Sequence, residues 1–152
     1  MSNIILVSDP PINPNPLRWK IPDSECGAEE TRDHVADLLS EMHNLNGLGL
    51  AANQLGIKER IFVTEFMVAM NPTIVQAQYY KDVVEGCLSL PGITVTVGRA
   101  KKIRVNYFDI VDWDEKSNVF VDEQAHIIQH EIDHLNGVLC IDYGHNVLTG
   151  RT

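Results

Sequence analysis

Near the end of the chain, the stretch QHEIDHLNG (Gln129 to Gly137) sets His130 and His134 four residues apart, with Glu131 between them. On a helix this spacing puts both imidazoles on one side, one turn apart, with the carboxylate just off that side. Two neutral imidazoles can grip a divalent ion, and a carboxylate beside them can move a proton. That is equipment for metal-assisted hydrolysis. A catalytic ion takes three protein ligands and keeps an open position, so a third ligand must come from elsewhere. The plainer alternative is a solvated polar helix face.

Two thiols compete for the third position. The stretch HEIDHLNGVLC matches a longer peptidase pattern, HExxHxxGxxH, except that Cys140 replaces the last histidine. Beyond His134 the only acid is Asp142. Cys87 lies in EGCLSLPG, a turn marked by Gly86, Pro91 and Gly92 between two expected strands. A thiolate from either position can bind a metal, and spacing alone leaves both open. With Cys26 the chain has three cysteines, an odd count that does not read as a disulfide framework.

The elements that must carry these residues are legible in outline. Val35, Leu38, Leu39, Met42 and Leu45 recur at helical spacing, which predicts a helix from about Glu29 to Leu45, stopped at Asn46-Gly47. RIFVTEF and ITVTV predict strands, and Ile103, Val105 and Tyr107 alternate as another. DWDEKSN then reads as a polar hairpin loop before VFV, with Asp112 and Asp114 as turn residues. Asp122 is placed to cap a last helix that runs to about Asn136 and ends at Gly137. On that helix Ile128, Ile132 and Leu135 share one side, Leu139 extends it, and the histidines lie opposite. His126 extends the histidine stripe by one turn and reads as a neighbour of the site. The proline-rich segment SDPPINPNPLRWKIPD reads as an ordered surface loop. The pattern of helix, short strands and helix predicts one α+β domain over residues 1–152.

GLGLAANQLG, Gly47 to Gly56, formally fits a dinucleotide fingerprint, but a helix precedes it where a strand should, so it reads as a tight glycine-rich connection. Taken in order, GLGLAANQ, EGCLS and QHEIDH closely resemble the three signature motifs of peptide deformylases. The resemblance implies antiparallel β-sheets packed around the HExxH helix and removal of the formyl group from N-formylmethionine of new polypeptides. It implies Cys87, His130 and His134 as ligands to one divalent ion. That ion is Fe²⁺ by expectation, with Zn²⁺, Ni²⁺ or Co²⁺ able to substitute. It makes Glu131 the general acid/base, and makes the Gln54 amide and the Leu88 N–H the donors to an oxyanion. Glu85 becomes a structural partner of Arg99. Leu48, Gly49, Gly86 and Ile127 become the substrate-binding residues, with the glycines admitting a peptide backbone.

Composition is that of a globular protein, 44% hydrophobic and 22% charged, with a formal net charge of −9. That charge argues against broad binding to a nucleic-acid backbone. The apolar run Ile4 to Val7 is too short for a membrane span or a signal-peptide core, so the bacterial or infected-host cytoplasm is expected; a monomer is a separate expectation. HNVLTGRT cannot form the C-terminal helix that common bacterial members use at the ribosome, which resembles the compact phage-encoded type and puts ribosome docking in doubt. The competing functions are an HExxH metallopeptidase with Cys140 or an acid as third ligand, and a non-catalytic module built on a structural metal.

Overall fold

The computed structural model describes residues 4–6, 15–25 and 29–149. Cys26 and the prolines at 10, 11 and 14 lie outside the described residues. The elements run α1 (Glu29–Asn44), β1 (Gly49–Ala51), β2 (Ile61–Thr64), β3 (Val68–Cys87), β4 (Leu90–Asp109), β5 (Asp114–Val121), α2 (Asp122–Leu135) and β6 (His145–Thr149). Short 3₁₀ turns occupy Pro16–Arg18, Ala52–Leu55 and Cys140–Asp142.

The described strands form one antiparallel sheet in the order β1-β2-β3-β4-β5, with β6 added on β4. The resemblance implies antiparallel sheets in the plural, and the described strands make one. One sheet results because β3 and β4 are 20 residues each and form a single long hairpin. Its register slips between Met70 and Thr73, Ile74 and Gln76, and Gly86 and Cys87. Such bulges bend a strand and increase its twist. The expected strands at 93–97 and 103–107 are thus two parts of β4. Val95 and Val97 are buried in one phase and Ile103, Val105 and Tyr107 in the same phase. Between them Arg99 and Ala100 are both buried, which breaks the alternation.

β2 explains how the helices are placed. Its four residues are all buried, and the alternate sides of IFVT enter different cores. Ile61 and Val63 pack with Val35, Leu38 and Met42 of α1. Phe62 packs with Ala125, Ile128, Ile132 and Leu135 of α2. The helices therefore cover opposite faces of this part of the sheet, as period-2 alternation requires. Burying a side chain such as Ile128 is worth about 1.5–3 kcal/mol. The end of the proline-rich segment docks on the same core. Leu17 and Ile21 are buried, and the Ile21 N–H donates to the Leu135 carbonyl at 2.9 Å.

Three local expectations need correction. DEKSNVFV is all strand, so the turn before it is short. Lys116 binds Asp109 at 2.7 Å and also meets Asp112, which fixes that turn. GLGLAANQ is a strand followed by a 3₁₀ turn, closed by Gly56 at φ 72°. Asp122 is the first residue of α2 and does not precede it. Its φ of 54° turns β5 directly into the helix, and Val121 at the cap position makes no side-chain cap bond. Gly137, at φ 73°, does end the α2 region. A Cβ there would lie 2.6 Å from the Arg18 carbonyl oxygen. Among the described residues, no helix is long and apolar enough to cross a membrane.

Candidate metal and active site

α2 carries His130 and Glu131 into a cleft of about 1200 Å³, with His134 buried one turn further along, and the cleft is walled on other sides by residues 45–49, the tip of the β3–β4 hairpin, and β6. Cys87 ends β3, and Leu88 and Ser89 make the turn into β4. The hairpin tip brings the thiol to the histidines. Cys87 Sγ stands 3.3 Å from His134 Nε2, which is 3.1 Å from His130 Nε2. Ligands about 2.0–2.3 Å from one tetrahedral ion lie roughly 3.3–3.7 Å apart. The observed 3.3 and 3.1 Å are at and just below that spacing, close enough for the three atoms to converge on a single divalent ion with a small opening of the cluster. Cys87, His130 and His134 form a metal-capable group, whereas Cys140 groups only with Glu85 and His130. Cys140 lies behind the site in an apolar cluster, and burial pushes its thiol up to about 11.

The surroundings set the charges. His130 Nδ1 meets Glu85 Oε1 at 2.8 Å. Burial alone would lower the His130 pKa, but the Cys87 and Glu85 acceptors outweigh it and raise it well above the usual value. His134 is driven well below that value by burial and by the nearby His130 charge. Glu85 is itself gripped by Arg99 through two bonds, 2.6 Å from Nε and 2.8 Å from Nη2. Burial opposes its ionisation, but the bonds from Arg99 and His130 win and hold it at about 2. Arg99 continues to Asp133 at 2.7 Å and to the Tyr143 hydroxyl at 2.5 Å. The expected pairing of Glu85 with Arg99 is thus one edge of a network that ties β3, β4 and α2 together.

Glu131 is 4% exposed, and its Oε1 is buried without a hydrogen-bond partner. Burial raises its pKa to about 7, against the lowering effect of the His130 charge. Gln54 is fixed from both ends. Its Oε1 accepts the Ala51 N–H at 3.0 Å, and its Nε2 donates to Ser89 Oγ at 3.1 Å and points toward Cys87 Sγ at 3.9 Å. Leu88, Leu48, Gly49, Gly86 and Ile127 all line the cleft, as does His126. Leu48 is 59% exposed, so it is not core. Gly49 makes room for Glu131, since a Cβ there would stand 2.7 Å from the carboxylate Oε2 and the side chain would have to move. Gly86 is not, since a Cβ there would meet only the Ile93 carbonyl oxygen, at 3.7 Å.

A family model described as polypeptide deformylase matches residues 1–148. The peptide deformylase of Pseudothermotoga lettingae is 40% identical over 130 residues, covering 83% of this chain and 75% of that protein. The chain belongs to the peptide deformylase family. Solved deformylase structures share its fold. One from Plasmodium falciparum, in complex with an inhibitor, aligns at a TM-score of 0.85 and 30% identity, over 94% of this chain and 89% of that one. A probable peptide deformylase from synechococcus phage S-SSM7 aligns at 0.84 and 31%, over 92% and 97%. Deformylases are metal-dependent hydrolases that remove N-formyl groups from nascent polypeptides, and this chain is an enzyme of that class.

Set against a deformylase site, the sequence reading omitted four residues that the fold brings in. Ser89 fixes Gln54, Asp133 and Tyr143 complete the Arg99 network, and Asn53 touches His134 through its backbone carbonyl. Asp133 sits inside HEIDH and was visible as a polar residue within the motif. Ser89 and Asn53 likewise sit inside EGCLS and GLGLAANQ, although their partners are distant, and Tyr143 becomes legible only when distant segments meet.

Proposed function

We propose that Cys87, His130 and His134 hold one divalent ion, Fe²⁺ in the native enzyme, and that the cleft beside them deformylates N-formylmethionyl peptides. The observation that carries this reading is the meeting of three ligand atoms, within 4.8 Å of one another, from the hairpin tip and α2. The ion supplies Lewis acidity, which makes a water molecule acidic near neutral pH and polarises a carbonyl.

The chain's own residues supply the rest. Glu131 takes a proton from the attacking water and returns it to the departing amine. A carboxylate with a pKa near 7 is matched to both transfers. Gln54 is held by Ala51 so that its Nε2 faces the Cys87 side of the site. With the Leu88 N–H it donates to the oxyanion that forms on the formyl carbon, and one such donor is worth about 3–4 kcal/mol in the transition state.

β1 ends the strand order, so its outer edge has no strand partner among the described residues. A peptide added there is held by main-chain bonds that read little sequence. Leu48 and Ile127 then receive the methionine side chain. The formyl carbon carries only hydrogen and fits between the donors and the ligand cluster. An acetyl methyl displaces the carbonyl, and a misplacement near 1 Å costs about 100-fold in rate. The test is formate or free-amine release from matched formyl-Met and acetyl-Met peptides. Release from the formyl peptide alone supports the reading, and equal rates on both would refute it.

A further inference from the structure

The two histidines of α2 differ in what stands behind them. His130 has the Glu85 carboxylate at its Nδ1. His134 Nδ1 is buried and has no hydrogen-bond partner. A histidine that binds a metal through Nε2 carries its proton on Nδ1, and that N–H is ordinarily held by an acceptor that fixes the ring.

An acceptor of the right kind lies on a residue that already touches His134. Asn53 is fully buried in the 3₁₀ turn after β1, and its Nδ2 donates to the His134 carbonyl oxygen at 2.5 Å. Its Oδ1 is also buried without a partner. One residue thus holds an unmet acceptor, and the residue bonded to it holds an unmet donor. Unsatisfied buried polar groups are rare enough that two on adjoining residues call for one explanation.

We propose that Asn53 is a positioning residue for the metal centre, its Oδ1 accepting the Nδ1–H of His134 when that ring holds an ion. One side-chain amide then serves His134 twice. Its NH₂ group fixes the helix backbone, and its oxygen fixes the imidazole. The inference rests on the reading of His134 as a ligand.

The experiment uses the zinc-loaded protein and two variants. The readouts are zinc affinity by chelator competition and the proton resonance of His134 Nδ1–H. Asn53→Ala loses the acceptor, and zinc affinity should fall about 10- to 100-fold. The Nδ1–H resonance should shift or exchange away. Asn53→Asp keeps an oxygen acceptor but cannot donate to the carbonyl, so it should bind zinc far better than Asn53→Ala. If Asn53 only anchors the helix end, both variants fail alike and the proposal is overturned. It is also overturned if Asn53→Ala binds zinc as the parent does. Should Asn53→Ala not fold, the unaltered protein decides, because absence of magnetisation transfer between His134 Nδ1–H and the Asn53 side chain overturns the proposal. His134→Ala separates the underlying reading. Undiminished zinc affinity there removes His134 from the ligand set, whereas its loss beside an inert Asn53→Ala removes only Asn53.

Discussion

The Glu131 side chain packs so closely against Gly49 that an added Cβ there would stand 2.7 Å from Oε2. β1 therefore fixes how closely the carboxylate can approach the cleft wall. Gly49→Ala forces the carboxylate aside and should lower kcat by roughly 100-fold, the scale of a 1 Å displacement of a catalytic group. The bound metal should stay, since no ligand atom is touched. Steady-state kinetics beside metal analysis checks this, and unchanged kcat would contradict the placement.

Glu131→Gln should retain metal and lose at least about 100-fold in kcat, because the amide cannot shuttle a proton. The same variant should stabilise the metal-free protein. Burial raises the folded pKa of Glu131 to about 7. The folded state thus holds a proton that the unfolded state releases near pH 4.5. That favours folding below about pH 4.5 and is lost as pH rises to about 7, a swing of about 3 kcal/mol at most. Denaturant titrations of metal-free protein should show Glu131→Gln gaining over the parent at pH 8 and not at pH 4.

Cys87→Ala should abolish tight metal binding, and Cys140→Ala should leave metal and turnover largely intact. The cobalt-loaded protein reports this through its thiolate-to-metal absorption band. Survival of that band in Cys87→Ala, with its loss in Cys140→Ala, would reverse the assignment.

Arg99→Met should be costly at neutral pH, because it strands Glu85 as a buried carboxylate. Breaking such a pair costs about 3–5 kcal/mol. The folded pKa of Glu85 is depressed to about 2, so its contribution is present above its ordinary pKa and lost as pH falls toward 2. The stability gap between parent and variant should therefore narrow on acidification from pH 7 to pH 3. A gap that is constant with pH would show that Arg99 acts through packing alone.

The helices were readable because their apolar positions keep one period throughout. Val35, Leu38 and Met42 are buried together, as are Ile128, Ile132 and Leu135. β4 was not readable as one strand, because Arg99 and Ala100 interrupt the alternation, two of the register shifts put the extra residue on its partner, and the third, at the tip, puts its extra residues on β4. Within the site, HEIDH announces itself because its spacing is local. Cys87 and Cys140 look equivalent in sequence, and only the hairpin separates them, carrying one thiol to both Nε2 atoms and leaving the other behind Glu85 and His130. Asn53 sits inside GLGLAANQ, but its role had no local signal, since its partner lies 81 positions away.

The position of Cys87 at the far end of a 20-residue strand has a mechanical consequence. The base of the hairpin is anchored by Ala69 and Met70 against β2 and by Phe108 and Asp109 across the pair. Toward the tip, Asp82, Val84 and Gly86 face solvent. The Glu85–Arg99–Asp133 network and the Gln54–Ser89 bond already tie this end down, and an ion joining Cys87 to α2 would add a last clasp at the end of a lever. Removing it takes one fastening from the tip and none from the base. Amide exchange on chelation should therefore quicken first at residues 84–94 and only later at the base, which would make the cation a fastener of the cleft wall as well as a reagent.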